Sequence, residues 1–216
     1  MKKWIVLIAV CFLVACQQQK GDNTMSLIEA VEQQNEQQVQ ELLAQSTEVD
    51  IQNDKGETPL LIATHQNNVA IAKALIDAGA DINKQDAIQD SPYLYAGAQG
   101  KTEILAYMLA HREPDQTVVN RYGGNALIPA AEKGHLENVK QLLEDGRADI
   151  NHQNNFGYTA LIEAVALTDG SPLYQDIVAE LLKHDANTEL RDNNDKTALD
   201  YAKEKGYTEI EAMLKK

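Results

Sequence analysis

Apolar and polar residues follow a helical spacing in the best-patterned stretch of the chain. Thr58 is a favourable helix N-cap, and Pro59 suits the first helical position, where its missing N–H is not needed. Ile71 and Leu75 are four residues apart and give a second helix one apolar face. Gly79 follows where that helix should end, because glycine takes a positive φ at little cost. The stretch therefore predicts a helix–loop–helix unit.

The same pattern recurs with a period close to 34 residues. Matches to the phrase that begins at Thr58 lie 33, 34, 34 and 38 residues apart, and they begin at Ser91, Asn125, Thr159 and Thr197. An insertion near residues 168–175 accounts for the longest interval. A second phrase, Ala-Asp-Ile-Asn, occurs at 80–83 and again 68 residues later at 148–151. Two phrases that keep one register indicate an internally repeated chain.

On these residues the chain resembles the ankyrin repeat family. Residues 54–63 (Asp-Lys-Gly-Glu-Thr-Pro-Leu-Leu-Ile-Ala) and 74–83 (Ala-Leu-Ile-Asp-Ala-Gly-Ala-Asp-Ile-Asn) are together similar to a nearly complete unit. The resemblance covers about residues 25–216 and implies an all-α solenoid, in which each unit has a hairpin-like loop and two antiparallel helices. Six units are expected, at about 25–52, 53–85, 86–119, 120–153, 154–191 and 192–216. Because one unit cannot cover its own apolar face, the stack is the folding unit.

The chain departs from the family pattern in two respects. The third unit reads His-Arg-Glu-Pro-Asp at 111–115 in place of a Gly-Ala-Asp phrase, so Pro114 should end a helix there and the solenoid should be distorted. The histidine that usually follows Thr-Pro-Leu is also missing, which implies that its hydrogen bonds between loops are absent. The residues found in its place are Leu61, Leu94, Ile128, Ile162 and Asp200.

The N-terminus carries a different signal. Two lysines precede an apolar run of 12 residues, Trp4–Ala15, which is too short to span ~30 Å of hydrocarbon but is typical of a signal peptide. Residues 13–16 (Leu-Val-Ala-Cys) resemble the lipobox of bacterial lipoproteins, which implies that Cys16 is lipidated and that residues 1–15 are removed. An ordinary signal peptide with an incidental cysteine is the alternative. The polar residues of 16–24 then predict a flexible tether.

A lipid-anchored protein of this kind is expected in a bacterial cell envelope. It would lie on the outer membrane facing the periplasm in a cell with two membranes, and on the outer face of the cytoplasmic membrane in a cell with one. The chain has 19 Lys and Arg against 33 Asp and Glu, a formal net charge of -14. Anionic lipids repel such a domain, so the acyl chains should hold it at the membrane. Nucleic acid is not an expected partner, because phosphate binding needs clustered Lys and Arg.

The sequence contains no recognisable catalytic or metal-binding motif. Cys-x-x-Cys, His-Glu-x-x-His, Gly-x-Ser-x-Gly and the Walker phosphate loop are all absent. None of the five histidines has another histidine three or four residues away, as a metal pair on one helix would require. Asp192–Asp195 resembles the start of a calcium loop, but Lys196 occupies the third ligand position, so a repeat loop is the better interpretation. No enzymatic activity, cofactor or metal is therefore expected.

The family resemblance places ligands on the concave side, at the loop tips and the ends of the first helices. Seven residues at such positions form the predicted partner site: Ile88, Asp90, Tyr122, Glu132, Phe156, Tyr158 and Leu167. Exposed aromatic residues often anchor interfaces, although packing of these rings between loops remains an alternative. The acidic members favour a partner with a basic and partly apolar surface.

These observations predict a monomeric, lipid-anchored, non-enzymatic module that binds a protein partner. A structural or stress-protective protein of the envelope is the second interpretation. An enzyme or a metal-dependent accessory protein is the third, and no residue spacing supports it.

Overall fold

The structure, a computed structural model, describes residues 25–45 and 48–215. This part of the chain contains helices but no strand, which confirms the predicted all-α fold of helix–loop–helix units. The helices are α1 (Leu27–Glu32), α2 (Glu36–Ala44), α3 (Pro59–His65), α4 (Val69–Asp77), α5 (Pro92–Ala98), α6 (Thr102–His111), α7 (Leu127–Glu132), α8 (Leu136–Asp145), α9 (Ala160–Ala166), α10 (Pro172–Lys183), α11 (Ala198–Lys205) and α12 (Thr208–Leu214).

The helices form two layers that run the length of the stack. Each odd-numbered helix packs against the next odd-numbered helix, and the even-numbered helices pack in a second row in the same way. The core lies between the rows, where Leu75, Met108 and Leu142 from three successive even-numbered helices are fully buried. We call the face made by the odd-numbered helices and the loops that precede them the loop-side face.

A capping side chain starts most of the odd-numbered helices. The hydroxyl oxygens of Thr58, Ser91 and Thr159 accept hydrogen bonds from the N–H groups three residues later, at 3.1, 3.2 and 3.1 Å. Asn125 does the same before α7, where its Oδ1 accepts from the N–H of Ile128 at 3.3 Å. Each cap satisfies an N–H that the helix cannot pair internally. Because the capping residues are the repeated positions of the sequence, the helix N-termini recur with the same period.

The third unit ends as the sequence predicts, because α6 stops at His111, three residues before Pro114. The last turn of α6 and the residue that follows it are tied to the neighbouring units by two arginines. The Arg147 guanidinium donates to the carbonyls of Leu109 and Arg112 at 2.8 and 3.0 Å, and it is also paired with Asp145. The Arg112 guanidinium donates in turn to the carbonyl of Ile76. Side chains therefore satisfy the helix end that lacks the usual glycine.

The predicted signal peptide, Cys16 and the tether lie outside the described residues. Within residues 25–45 and 48–215, no helix has both the length and the apolar character needed to cross a membrane.

Candidate partner-binding groove

An Asn or Asp side chain closes each loop that precedes α3, α5, α7, α9 and α11. In the loop before α9, Oδ1 of Asn154 accepts hydrogen bonds from the N–H groups of Phe156 and Tyr158, at 2.9 and 3.0 Å. The backbone N–H of Asn154 also donates to the carbonyl of Tyr158 at 3.0 Å. The equivalent residues of the other loops are Asn53, Asp86, Asn120 and Asp192. The segment that begins at Asp192 is therefore a repeat loop. We call the residue two positions after this Asn or Asp the tip residue of the loop. Each tip residue lies in a turn whose backbone is fixed by these hydrogen bonds.

Hydrogen bonds also join successive loops. The N–H of Asn155 donates to the carbonyl of Tyr122 at 2.9 Å, and that of Asn193 donates to the carbonyl of Phe156 at 3.0 Å. The loops approach so closely that a Cβ added to Gly157 would lie 2.8 Å from the backbone nitrogen of Asn193. Side-chain amides bridge neighbouring loops as well, at Gln52, Gln85 and Gln153. These hydrogen bonds join the loops in this chain, which lacks the histidine that usually follows Thr-Pro-Leu in the family.

An open groove of about 460 Å³ lies on the loop-side face at α7, α9 and their preceding loops. This volume falls within the range of pockets that hold ligands in proteins. The groove is lined by Asn120, Tyr122, Gly124, Ile128, Pro129, Glu132, Asn154, Phe156, Tyr158, Glu163 and Leu167.

Aromatic rings line one side of this groove. The ring centroids of Tyr122 and Phe156 are 6.5 Å apart, and those of Phe156 and Tyr158 are 6.3 Å apart. Tyr201, from α11, extends the row at 6.3 Å from Tyr158. These distances are within the range of favourable aromatic pairs, so the rings do pack between loops. Tyr122 and Phe156 nevertheless remain 53% and 54% exposed.

The structure brings five of the seven predicted partner-site residues together. Tyr122, Glu132, Phe156, Tyr158 and Leu167 all line the groove. The large apolar side chains exposed among the described residues are Ile88, Tyr122, Phe156, Leu167 and Leu173, and the first four belong to the predicted set. Participation of these residues in binding stays a prediction.

The other two predicted residues lie beside the groove. Ile88 occupies the tip of the preceding loop and is 53% exposed. Asp90 lines a smaller recess of about 110 Å³ that it shares with Tyr95, Arg121 and Lys133. Burial raises the pKa of Asp90, while the positive charge of Arg121 opposes the rise. The groove therefore ends before Ile88 and Asp90, and the predicted site is longer than the groove.

Glu163, in the first turn of α9, is a groove residue that the sequence reasoning missed. Its side chain is only 6% exposed, so it lies at the bottom of the groove. Its Oε1 accepts a hydrogen bond from Nδ2 of Asn154 at 2.8 Å. Burial, together with the nearby charge of Glu132, raises its pKa to about 7. One signal in the sequence could have revealed it, because the same repeat position holds Ile62, Tyr95, Pro129 and Tyr201 in other units.

Two further polar contacts lie beside the groove. The hydroxyl of Tyr174, from the segment of the insertion, donates to the main-chain carbonyl of Glu132 at 2.9 Å. Lys196 lies over the ring of Tyr201 at 5.2 Å and is paired with Glu204 at 2.7 Å. Within the described part of the chain, no three His, Cys, Asp or Glu side chains are grouped as a metal site would require.

Comparisons with known proteins agree with this architecture. The family model described as ankyrin repeats (3 copies) matches residues 7–86, 85–154 and 127–216. The chain is 39% identical over 185 residues to the ankyrin repeat protein YahD of Escherichia coli, which covers 86% of this chain and 92% of YahD.

Two solved structures are similar over most of the chain. The crystal structure of the ankyrin repeat protein EF0377 matches with a TM-score of 0.87 and 60% identity, covering 89% of this chain and 98% of that one. An ankyrin repeat domain from Acinetobacter baumannii AYE matches with a TM-score of 0.84 and 49% identity, covering 87% and 95% of the two chains.

Proposed function

We propose that this chain, which belongs to the ankyrin repeat family, is a non-enzymatic module that binds a protein partner in the groove at α7 and α9. Proteins built from ankyrin repeats generally serve protein–protein interaction rather than catalysis. The observation that carries the proposal is the clustering of Tyr122, Phe156 and Leu167, each just over half exposed, around one groove. Clustered apolar side chains of this kind mark interaction sites on soluble domains.

The exposed rings can supply substantial binding free energy. An aromatic side chain buries about 150–250 Å² when it is covered completely, and about 25 cal/mol is gained per Å² of apolar surface. Covering the exposed half of Phe156 is therefore worth roughly 2 kcal/mol. The loop backbone is already fixed by Asn154 and by the next loop, so little conformational entropy is lost on binding.

Site-specific photocrosslinking in intact cells tests this proposal. A photoreactive amino acid in place of Phe156 should give a defined protein adduct, whereas the same amino acid in place of Lys140, on the outer helix α8, should give none.

With the crosslinked partner purified, Phe156→Ala and Tyr158→Ala should each weaken binding by at least ~1 kcal/mol, with helicity unchanged. Charge changes at Lys73 and Lys140 are the matched controls. If the two aromatic variants bind the partner normally and the charge changes at Lys73 and Lys140 weaken binding strongly, the partner binds the face opposite the groove.

We also propose that the domain is held at an extracytoplasmic membrane surface by lipid on Cys16. Support for this comes from the lipobox-like residues 13–16 that follow a short apolar run. Two or three acyl chains anchor a protein stably where a single chain is marginal. Incorporation of labelled palmitate should disappear in Cys16→Ser, and the protein should become soluble or remain unprocessed. If Cys16→Ser stays membrane-bound and is cleaved at the same site, the anchor lies elsewhere.

A further inference from the structure

A carboxylate without a cationic partner lies at the bottom of the groove. Glu163 is 6% exposed, and one of its oxygens, Oε1, is engaged by the neutral amide of Asn154. Among the described residues, its other oxygen accepts no hydrogen bond and is not among the buried unpaired atoms, so it is accessible from the groove. Neither Glu163 nor Glu132 takes part in an ion pair within the described part of the chain. Burying an acidic group in this way costs free energy, because the charged form loses its hydration. A cation that enters the groove would offset that cost.

We propose that the groove accepts a lysine side chain of the protein partner, with its ammonium group against the free oxygen of Glu163. This inference rests on the proposed function, since it assumes that the groove is where the partner binds. The aromatic rings of Tyr122, Phe156 and Tyr158 would cover the methylene chain, and their faces attract a cation at close range. Glu132, at the end of α7, adds a second negative charge on the same side.

The geometry favours lysine over arginine. A guanidinium binds a carboxylate best as a fork, with one N–H to each of the two oxygens. Because Asn154 already occupies Oε1 at 2.8 Å, a fork would have to share or displace that hydrogen bond. An ammonium group is a compact charge that needs only the free oxygen, and its remaining donors can reach Glu132 or water.

Binding of a lysine should depend on pH. The pKa of Glu163 is about 7, so this carboxylate is largely neutral at pH 6 and largely ionised at pH 8. The groups that face it are Glu132 from α7 and Asn154 from the preceding loop. On the α11 side, the hydroxyl of Tyr201 donates to Asp192 at 2.5 Å. Arg121 and Lys196 do not line the groove, and they lie over the rings of Tyr122 and Tyr201, at 5.4 and 5.2 Å from the ring centroids.

Three short peptides test the proposal on the full-length chain: acetyl-Ala-Lys-Ala-amide, its arginine analogue and its norleucine analogue. Norleucine keeps the apolar chain and lacks only the ammonium group. Ring-proton NMR shifts of Phe156 and Tyr158 report binding. The lysine peptide should bind about tenfold more tightly than the norleucine peptide at pH 8, and about tenfold more tightly at pH 8 than at pH 6. The arginine peptide should bind more weakly than the lysine peptide.

Glu163→Gln should remove both the lysine preference and the pH dependence, and the norleucine peptide should still bind. Glu137→Gln, which makes the same charge change on α8, should alter neither. Equal binding of the lysine and norleucine peptides, tighter binding of the arginine peptide, or no binding at all would overturn the proposal. If lysine is not preferred but Phe156→Ala still weakens capture of the crosslinked partner, this inference fails and the proposed function stands.

Discussion

Replacement of Glu163 by glutamine should stabilise the fold at pH 8 and leave its stability nearly unchanged at pH 4. Burial raises the pKa of this carboxyl from 4.5 to about 7, so the folded protein holds the proton more tightly than the unfolded chain does. Its contribution to stability is therefore greatest below pH 4.5, falls as the pH rises towards 7, and is constant above that value. Glutamine keeps the shape and can accept the hydrogen bond from Asn154, but it has no proton to lose.

The size of the effect follows from the two pKa values. One pH unit of difference between the folded and unfolded states corresponds to ~1.4 kcal/mol. The difference between 4.5 and about 7 then gives a gain of up to roughly 3 kcal/mol for Glu163→Gln at pH 8. At pH 4 the carboxyl is protonated in both states, and the gain should be close to zero.

Urea unfolding followed by far-UV circular dichroism at pH 4, 6 and 8 measures this difference directly. Other groups titrate over the same range, but both proteins share them, so the difference between the proteins isolates Glu163. Glu144→Gln is the control, because this exposed side chain on α8 should change stability by less than about 0.5 kcal/mol at every pH. A Glu163→Gln protein that is less stable at pH 8, or that shows the same difference at all three pH values, would refute the reasoning.

Three further substitutions test the fold. Leu75→Ala, in the buried core, should lower the free energy of unfolding by about 2–5 kcal/mol in urea titrations, and a loss below 1 kcal/mol would contradict the packing described here. Arg147→Ala should cost about 1–3 kcal/mol, because two main-chain carbonyls at the C-terminal end of α6 lose their charged donor, and hydrogen exchange should show faster opening there than in α4. Gly157→Ala should cost at least ~1 kcal/mol by thermal unfolding, because φ is 76° and the added Cβ would lie 2.8 Å from the backbone nitrogen of Asn193. Gly79→Ala is the control for positive φ alone, because a Cβ added there meets no neighbouring atom.

The fold was predictable because its signals are local and repeated. Thr58, Ser91 and Thr159 each mark a helix start with a side chain that caps the N–H three residues later. Their spacing of 33 and 68 residues gives the length of one unit, which is close to 34 residues. The exposure of Tyr122 and Phe156 follows from the same register, since both occupy loop tips.

Three features of the structure could not be predicted in this way, because they depend on contacts between units and a local sequence pattern does not indicate such contacts. The burial of Glu163 arises from neighbouring units that close around its position, and its residue type alone suggests a solvated carboxylate. The Arg147 side chain donates to carbonyls at the end of α6, 35 and 38 residues earlier, and the sequence around Pro114 gives no indication of these bonds. Tyr201 joins the aromatic row from α11, 43 residues after Tyr158.

On the loop-side face, the residues that fix the loop backbone are different from the residues that present side chains at the loop tips. In the described loops that precede α3, α5, α7, α9 and α11, an Asn or Asp fixes the turn by accepting a hydrogen bond from the backbone N–H of the tip residue two positions later. The side chain of the tip residue takes no part in the turn in four of these loops, and in the fifth the Asn194 side chain donates to Asp192 at 3.3 Å. The five tip residues are Lys55, Ile88, Tyr122, Phe156 and Asn194, which differ in charge, size and polarity. Mutation can therefore sample new chemistry at one tip without disturbing the backbone of its neighbours. If partners bind at these tips, as proposed above, a lineage that carries this scaffold could change partners by single substitutions that leave the fold intact.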